Sequence, residues 1–202
     1  MKTTLIYLIG FPGSGKLTIT KELCKIIDAV RVDNNLFNNI IFDIATLRNT
    51  DVPDDLWNNI LTVRKDLLAI LAVCYEKSKH YIFTNELVKG EEHDQEVFNS
   101  VVDFSEKTGM KILFVVLHCS KEELARRIQS QGRHGKITNP QYVKNIELKG
   151  KELFVPPGAL EIDNSDLSAE EVAEKIVQEM KSEKLGVTSV VTSSNRGHDK
   201  RG

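Results

Sequence analysis

The chain has 202 residues, of which 27 are Lys or Arg and 29 are Asp or Glu, leaving a formal net charge of −2. That balance argues against a protein that coats nucleic acid or an anionic membrane, while 41% hydrophobic and 28% charged residues suit one ordinary globular domain. Cys24, Cys74 and Cys119 are odd in number, far apart and in no Cys-x-x-Cys pair, which excludes a zinc ribbon, a redox dithiol and a disulfide scaffold and predicts reduced thiols in a cytoplasmic protein.

In chain order, residues 4–9 read as a strand. The apolar stretch Leu5-Ile6-Tyr7-Leu8-Ile9 is too short for a signal peptide, and Pro12-Gly13-Ser14-Gly15-Lys16 stands where a cleavage site would be wanted. Further strands are predicted over 29–32, 81–84, 111–118 and 159–162. Four of the five are near-continuous apolar runs, as in a parallel sheet covered on both faces. Helical periodicity separates them, over 16–27, 36–47, 54–77, 95–107, 121–129 and 169–184. In the third helix Leu56, Ile60, Val63, Leu67, Ile70, Leu71 and Cys74 recur at three- and four-residue steps, which predicts that this face meets the core. The longest apolar run in it, Leu67 to Tyr75, is well short of the ~20 residues of a membrane span. Pro53-Asp54-Asp55 suits a helix first turn. Ser120 with Glu123 and Ser168 with Glu171 are spaced as capping boxes. Strand–helix alternation of this kind implies a parallel sheet with helices on both faces, which binds ligands at the carboxyl ends of its strands.

Residues 121–151 hold eight Lys or Arg against three Glu, and the stretch Gly132-Arg133-His134-Gly135-Lys136 inside them is poor material for a fixed element. Residues 161–183 hold eight acids against two lysines, mostly a solvated helix face. The final 185–202, rich in Ser, Thr, Gly and Asn, read as a disordered tail beyond a domain of residues 1–184.

The strongest motif is Gly10-Phe11-Pro12-Gly13-Ser14-Gly15-Lys16, directly after the first strand and before the first helix. It matches the phosphate-binding pattern Gly-x4-Gly-Lys. Glycines let the backbone turn its N–H groups inward around a phosphate. The helix start adds partial positive charge, and Lys16 supplies a mobile cation for the β- and γ-phosphates. The pattern ordinarily ends in Ser or Thr, whose hydroxyl holds Mg²⁺. Here that position is Leu17, which has no oxygen, and Thr18 next to it is turned by ~100° around the helix. Thr18 is expected to meet the α-phosphate region, so that Mg²⁺ is held through water by acids elsewhere or is held weakly.

On these residues the chain resembles small P-loop kinases of the nucleoside-monophosphate-kinase, shikimate-kinase and chloramphenicol-phosphotransferase type. It is most similar to AAA-type ATPases whose loop reads G-x-P-G-S-G-K-L-T. The resemblance spans about residues 3–184. It implies a P-loop NTPase three-layer α/β sandwich, with a five-stranded parallel sheet of order 2-3-1-4-5 and a small basic lid at about 130–150. It also implies ATP and Mg²⁺ as cofactors. Gly10, Phe11, Pro12, Gly13, Ser14, Gly15, Lys16, Leu17 and Thr18 then contact the nucleotide. Asp33, after the second strand, is the candidate base for an acceptor hydroxyl; its alternative role is to cap the next helix. Glu86, after the third strand, is either an outer-shell metal acid or a simple loop acid.

Lid arginines in such kinases wrap the transferring phosphate. Arg126, Arg127, Arg133 and Lys136 are the candidates, with Arg127 and Arg133 preferred, against the alternative of a solvated basic face. His134 reads as a solvated loop residue. The loop at Asp163-Asn164-Ser165 is expected to border adenine through its backbone. Arg64 either meets an anionic acceptor or lies on the surface with its stem on the core. The function implied is ATP-dependent phosphoryl transfer to an unidentified small molecule or nucleotide. The rivals are a regulatory ATPase and a nucleotide-binding module without kinase activity. No Asn-Lys-x-Asp guanine motif is present, and no aromatic spacing supports single-strand nucleic-acid binding.

Overall fold

The computed structural model describes residues 3–33, 38, 54–129, 139 and 141–182. All but residue 38 of the helix expected over 36–47, the lid residues Arg133, His134 and Lys136, and the tail 185–202 lie outside the described residues. The described elements are β1 (Thr4–Gly10), α1 (Lys16–Ile26), β2 (Ala29–Asp33), α2 (Asp54–Cys74), β3 (His80–Asn85), α3 (Glu92–Thr108), β4 (Lys111–His118), α4 (Lys121–Ile128), α5 (Gln141–Leu148), β5 (Leu160–Asp163) and α6 (Ala169–Lys181).

The five strands form one sheet in the order β2-β3-β1-β4-β5, with every neighbouring pair parallel. β1 is central and buried along its whole length. Its side chains alternate between two cores because successive residues of a strand point to opposite faces. Leu5, Tyr7 and Ile9 join Leu61, Leu68, Val97, Val101 and Phe104 of α2 and α3 on one face. Ile6 and Leu8 join Ile19 and Leu23 of α1 and Val172, Ile176 and Val177 of α6 on the other. Each such aliphatic side chain contributes about 1.5–3 kcal/mol when fully buried. The near-continuous apolar strand runs therefore follow from the three-layer arrangement. All three cysteines are free thiols.

Helix α2 keeps only part of the face its periodicity suggested, with Leu71 packed against the core and Leu56 half-buried. Ile60, Leu61, Arg64 and Leu68 are buried, whereas Val63, Leu67 and Ile70 are exposed and Cys74 with them. The helix is apolar around much of its circumference, so spacing alone leaves its rotation open. Arg64, only 3% exposed, turns inward, where its charge interacts with Tyr7 and Asp94.

Of the two capping boxes, only one forms in full. Ser168 accepts from the Glu171 N–H at 3.1 Å and the Glu171 carboxylate accepts from the Ser168 N–H at 2.8 Å. At α4 the Ser120 hydroxyl accepts from the Glu123 N–H at 3.3 Å, but the Ser120 N–H goes to Ser165 Oγ at 2.8 Å. The Glu123 carboxylate is taken by Arg126 and Arg127 instead.

Helix α5 has no counterpart among the predicted elements. The Asn139 side chain accepts from the Gln141 N–H at 2.9 Å. Val143 is buried against Leu124 and Ile128 of α4, with Tyr142 packed alongside. Asn139-Pro140 is itself a helix-start signal, masked in the sequence by the glycine-rich basic stretch before it.

Candidate phosphate-binding site

The phosphate loop leaves the carboxyl end of β1 and enters α1. Gly13 and Gly15 have φ of 94° and 88°, in the left-handed region that favours glycine. A Cβ at Gly13 would stand 3.1 Å from both the Ile128 side chain and the Leu124 carbonyl, and one at Gly10 would stand 2.5 Å from Ser14 Oγ. The loop is thus held closed by contacts that only glycine permits. Inside it, Lys16 Nζ donates to the Gly10 carbonyl at 2.5 Å and to the Phe11 carbonyl at 3.1 Å. The Ser14 N–H donates to the Phe11 carbonyl at 3.1 Å.

The start of α1 differs from those of α4 and α6. Its N-cap is Gly15, no side chain caps it, and its first turn carries no acid. Helix starts leave four N–H groups without intrahelical partners, and here no serine or carboxylate competes for them. Leu17 is half-buried and Thr18 exposed in that first turn, while Thr20 donates back to the Lys16 carbonyl at 2.8 Å.

The loop is braced from β5. Asn164, 2% exposed, donates from Nδ2 to the Ser14 carbonyl at 2.7 Å, and its own N–H donates to the His118 carbonyl at 2.9 Å. Arg127 lies against the same brace. Its guanidinium donates to Glu123 at 2.6 Å and to the carbonyls of Asn164 and Ser165 at 2.9 and 3.2 Å. One of its nitrogens stands 3.9 Å from where a Cβ of Gly15 would be. Two arginines hold the Glu123 carboxyl down at about 2. Arg126 is exposed on the outer side of that pair. Asn164 is a side chain that sequence reasoning missed: the segment was read for its backbone alone, and an asparagine after a strand carries no distinctive spacing.

The remaining candidates sit along the carboxyl edge of the sheet. Asp33 ends β2, and its carboxylate accepts from Thr84 Oγ1 of β3 at 3.3 Å. β3 separates it from β1 and the phosphate loop. Glu86 follows β3 and accepts a hydrogen bond from the Tyr142 hydroxyl of α5. Burial pushes the Glu86 carboxyl up, opposed by that hydrogen bond and by the charge of Lys16, which places it within electrostatic reach of the loop. Burial also raises Asp94, whose carboxylate accepts from the Val88 N–H at 2.7 Å. Desolvation lowers the Arg64 guanidinium, offset by Tyr7 and Asp94. Tyr7 itself donates to Asn85 Oδ1 at 3.1 Å.

The cradle fits a nucleotide's phosphates: it has glycines where side chains would clash, a lysine on the loop carbonyls, and an uncapped helix start. Among the described residues no group of three or more His, Cys, Asp or Glu side chains is arranged to hold a metal, and Leu17 brings no oxygen. A divalent ion would have to draw its ligands mainly from phosphate and water, with single acids such as Glu86 or Asp33 beyond them.

A family model described as "AAA domain" matches residues 6–148, which is most of the chain. The chain belongs to this AAA domain family. Its fold is that of the small P-loop kinases. A gluconokinase from Sinorhizobium meliloti 1021 is 18% identical, with a TM-score of 0.56 over 87% of this chain and 90% of its own. The tunicamycin resistance protein of Deinococcus radiodurans is 15% identical, with a TM-score of 0.56 over 89% and 96%. The APS kinase of Mycobacterium tuberculosis, solved with AMPPNP and APS, is 16% identical, with a TM-score of 0.54 over 90% and 99%. A search of curated proteins returns no match. No helix among the described residues is long and apolar enough to cross a membrane.

Proposed function

We propose that this AAA-domain protein is an ATP-dependent phosphotransferase that acts on a small molecule or nucleotide. The observation that carries the proposal is the uncapped, acid-free start of α1 behind a glycine loop whose Lys16 ammonium rests on loop carbonyls. An incoming phosphate oxygen replaces those carbonyls as the partner of Lys16. The kinase structures that share the fold support the same reading.

In this account the loop amides from Gly13 to Thr18 and Lys16 bind the β- and γ-phosphates, and Arg127 steadies the nucleotide side of the loop beside Gly15. Asp33 accepts the proton of the acceptor hydroxyl as its oxygen bonds to the γ-phosphorus. The bond from that phosphorus to the β,γ-bridging oxygen breaks, and ADP leaves. Mg²⁺, when bound, neutralises charge on the β- and γ-oxygens. Arg133, which lies outside the described residues, supplies positive charge to the transferring phosphoryl group, and the lid at about 130–150 excludes water, so that transfer outruns hydrolysis.

The test is ADP release from ATP–Mg²⁺, measured against a panel of nucleosides, sugars and other hydroxyl-bearing metabolites. At least one acceptor should raise the rate well above slow hydrolysis. With it, Asp33→Asn should lower turnover on the order of a hundredfold while nucleotide affinity stays within a few-fold. ADP release that is indifferent to every acceptor would overturn the kinase reading in favour of a regulatory ATPase.

A further inference from the structure

Three carbonyls of the phosphate loop are held from within the loop and the helix it opens. Those of Gly10 and Phe11 accept from Lys16 Nζ, and that of Gly15 accepts from the Ile19 N–H at 2.9 Å. The Ser14 carbonyl is held from elsewhere in the fold. It accepts from Nδ2 of Asn164, the first residue after β5, at 2.7 Å. The Asn164 backbone is anchored on both sides. Its N–H donates to the His118 carbonyl at 2.9 Å, and its carbonyl accepts from the Arg127 guanidinium at 2.9 Å. The side chain therefore reaches the loop from a fixed point.

The direction of the Ser14 carbonyl decides the direction of an N–H. The Ser14–Gly15 peptide is trans, so its N–H points to the opposite side from its C=O. With the carbonyl on Asn164, the Gly15 N–H is turned away from that side chain, and among the described residues no hydrogen bond takes it. Gly15 sits at a φ of 88°. Glycine takes the opposite sign of φ about as readily, so this peptide can turn over unless something outside it holds the carbonyl. Turned over, it would show a carbonyl oxygen to the cradle and withdraw an N–H from it.

We propose that Asn164 is a positioning residue for the phosphate site: its Nδ2–H holds the Ser14 carbonyl outward, so that the Gly15 N–H faces the cradle and donates to a phosphate oxygen of the nucleotide. This role rests on the reading of the loop as a phosphate site, and it holds whether that phosphate is transferred or hydrolysed. What position 164 needs is a donor aimed at Ser14. Leucine is close to asparagine in size and has none. Aspartate has one only while protonated, and burial against a carbonyl favours its protonated form.

Inorganic tripolyphosphate serves as the probe, because it carries phosphate and nothing for the rest of the site to hold. The full chain, isotope-labelled at nitrogen, is titrated with it and followed by two-dimensional NMR at a temperature where each variant keeps its folded spectrum. In the wild type the Gly15 amide proton is expected to move downfield and saturate. Asn164→Leu should weaken binding about tenfold or more and abolish that movement. Asn164→Asp should bind within a few-fold of the wild type at about pH 5, and about tenfold or more weaker at about pH 8. Each is compared with the wild type at the same pH, so that the titration of the probe cancels. A role in folding alone would lower melting temperatures and leave the Gly15 resonance and the pH profile of binding as in the wild type. If the wild type shows no saturable binding, the phosphate-loop reading falls and the role of Asn164 with it. If the wild type binds and Asn164→Leu binds equally well with the same Gly15 movement, only the role of Asn164 falls. Equal weakening of Asn164→Asp at both pH values overturns the hydrogen bond as its means.

Discussion

Lys16 closes the loop it belongs to. Its ammonium donates to two of that loop's own carbonyls, Gly10 and Phe11. Lys16→Ala removes the charge but no core contact. ATP affinity is expected to fall at least tenfold, about 1.4 kcal/mol or more, with the melting temperature of the free protein little changed. Calorimetric titration of both proteins decides it; equal affinities would contradict the phosphate-loop assignment.

Leu17 is the departure at this scale. Leucine at the first position after Lys16 leaves the ion short of one protein oxygen, while Mg²⁺ demands six in near-octahedral array. Leu17→Ser is expected to lower the Mg²⁺ concentration at half-maximal nucleotide binding, read by titrating Mg²⁺ into the protein–ATP complex. An unchanged midpoint would show that this position has no part in holding the metal. Both residues were legible in the sequence because the loop is contiguous, so its geometry follows from local chemistry. Asn164, 150 residues from the Ser14 carbonyl it braces, was not legible, because only the folded sheet brings β5 beside the loop.

Between elements, the hydrogen bond from Tyr142 to Glu86 joins α5 to the segment after β3. Burial raises the Glu86 carboxyl above its ordinary 4.5 despite that bond and Lys16. The folded protein thus holds this proton more tightly than the unfolded chain. From 4.5 up to the raised value, stability falls as pH rises; above that window the loss is constant. Glu86→Gln keeps an acceptor for Tyr142 and removes the charge. It is expected to flatten the stability slope in the window and to gain on the wild type at neutral pH, leaving the slope of the same sign that Asp94 contributes. Thermal melts from about pH 4 to 8 would show it, and an unaltered slope would mean that Glu86 does not govern it. The helix α2 shows why such pairings escape sequence reading. Its apolar residues admit more than one buried face, and the one buried in the fold carries Arg64 inward, where its charge interacts with Tyr7 and Asp94. Those partners lie on β1 and α3, and no periodicity within the helix reports them.

At the scale of the whole molecule, strand order and the assignment of β1 to the centre were legible once the loop motif pointed to a family. Apolar runs and capping signals had already set the alternation of strands and helices. The strands came out within a residue or two of expectation because two-sided burial leaves a continuous apolar signal. Helix α5 did not, because its single buried stripe is short and its partners, Leu124 and Ile128, belong to another helix.

The central place of β1 also bears on how the chain is made. Thr4 to Gly10 is synthesised before both strands it pairs with, and it is buried along its whole length once folded. Yet Leu5 pairs with Tyr81, and Thr4 pairs with Lys111. At ~5–20 residues per second, the wait for β3 is roughly 4–15 s, and the wait for β4 is longer. Throughout that interval this fully buried strand has neither of its sheet neighbours. Nascent-chain binders that shield hydrophobic segments would find it there, and the phosphate loop, which hangs from its end, cannot take shape until they let go.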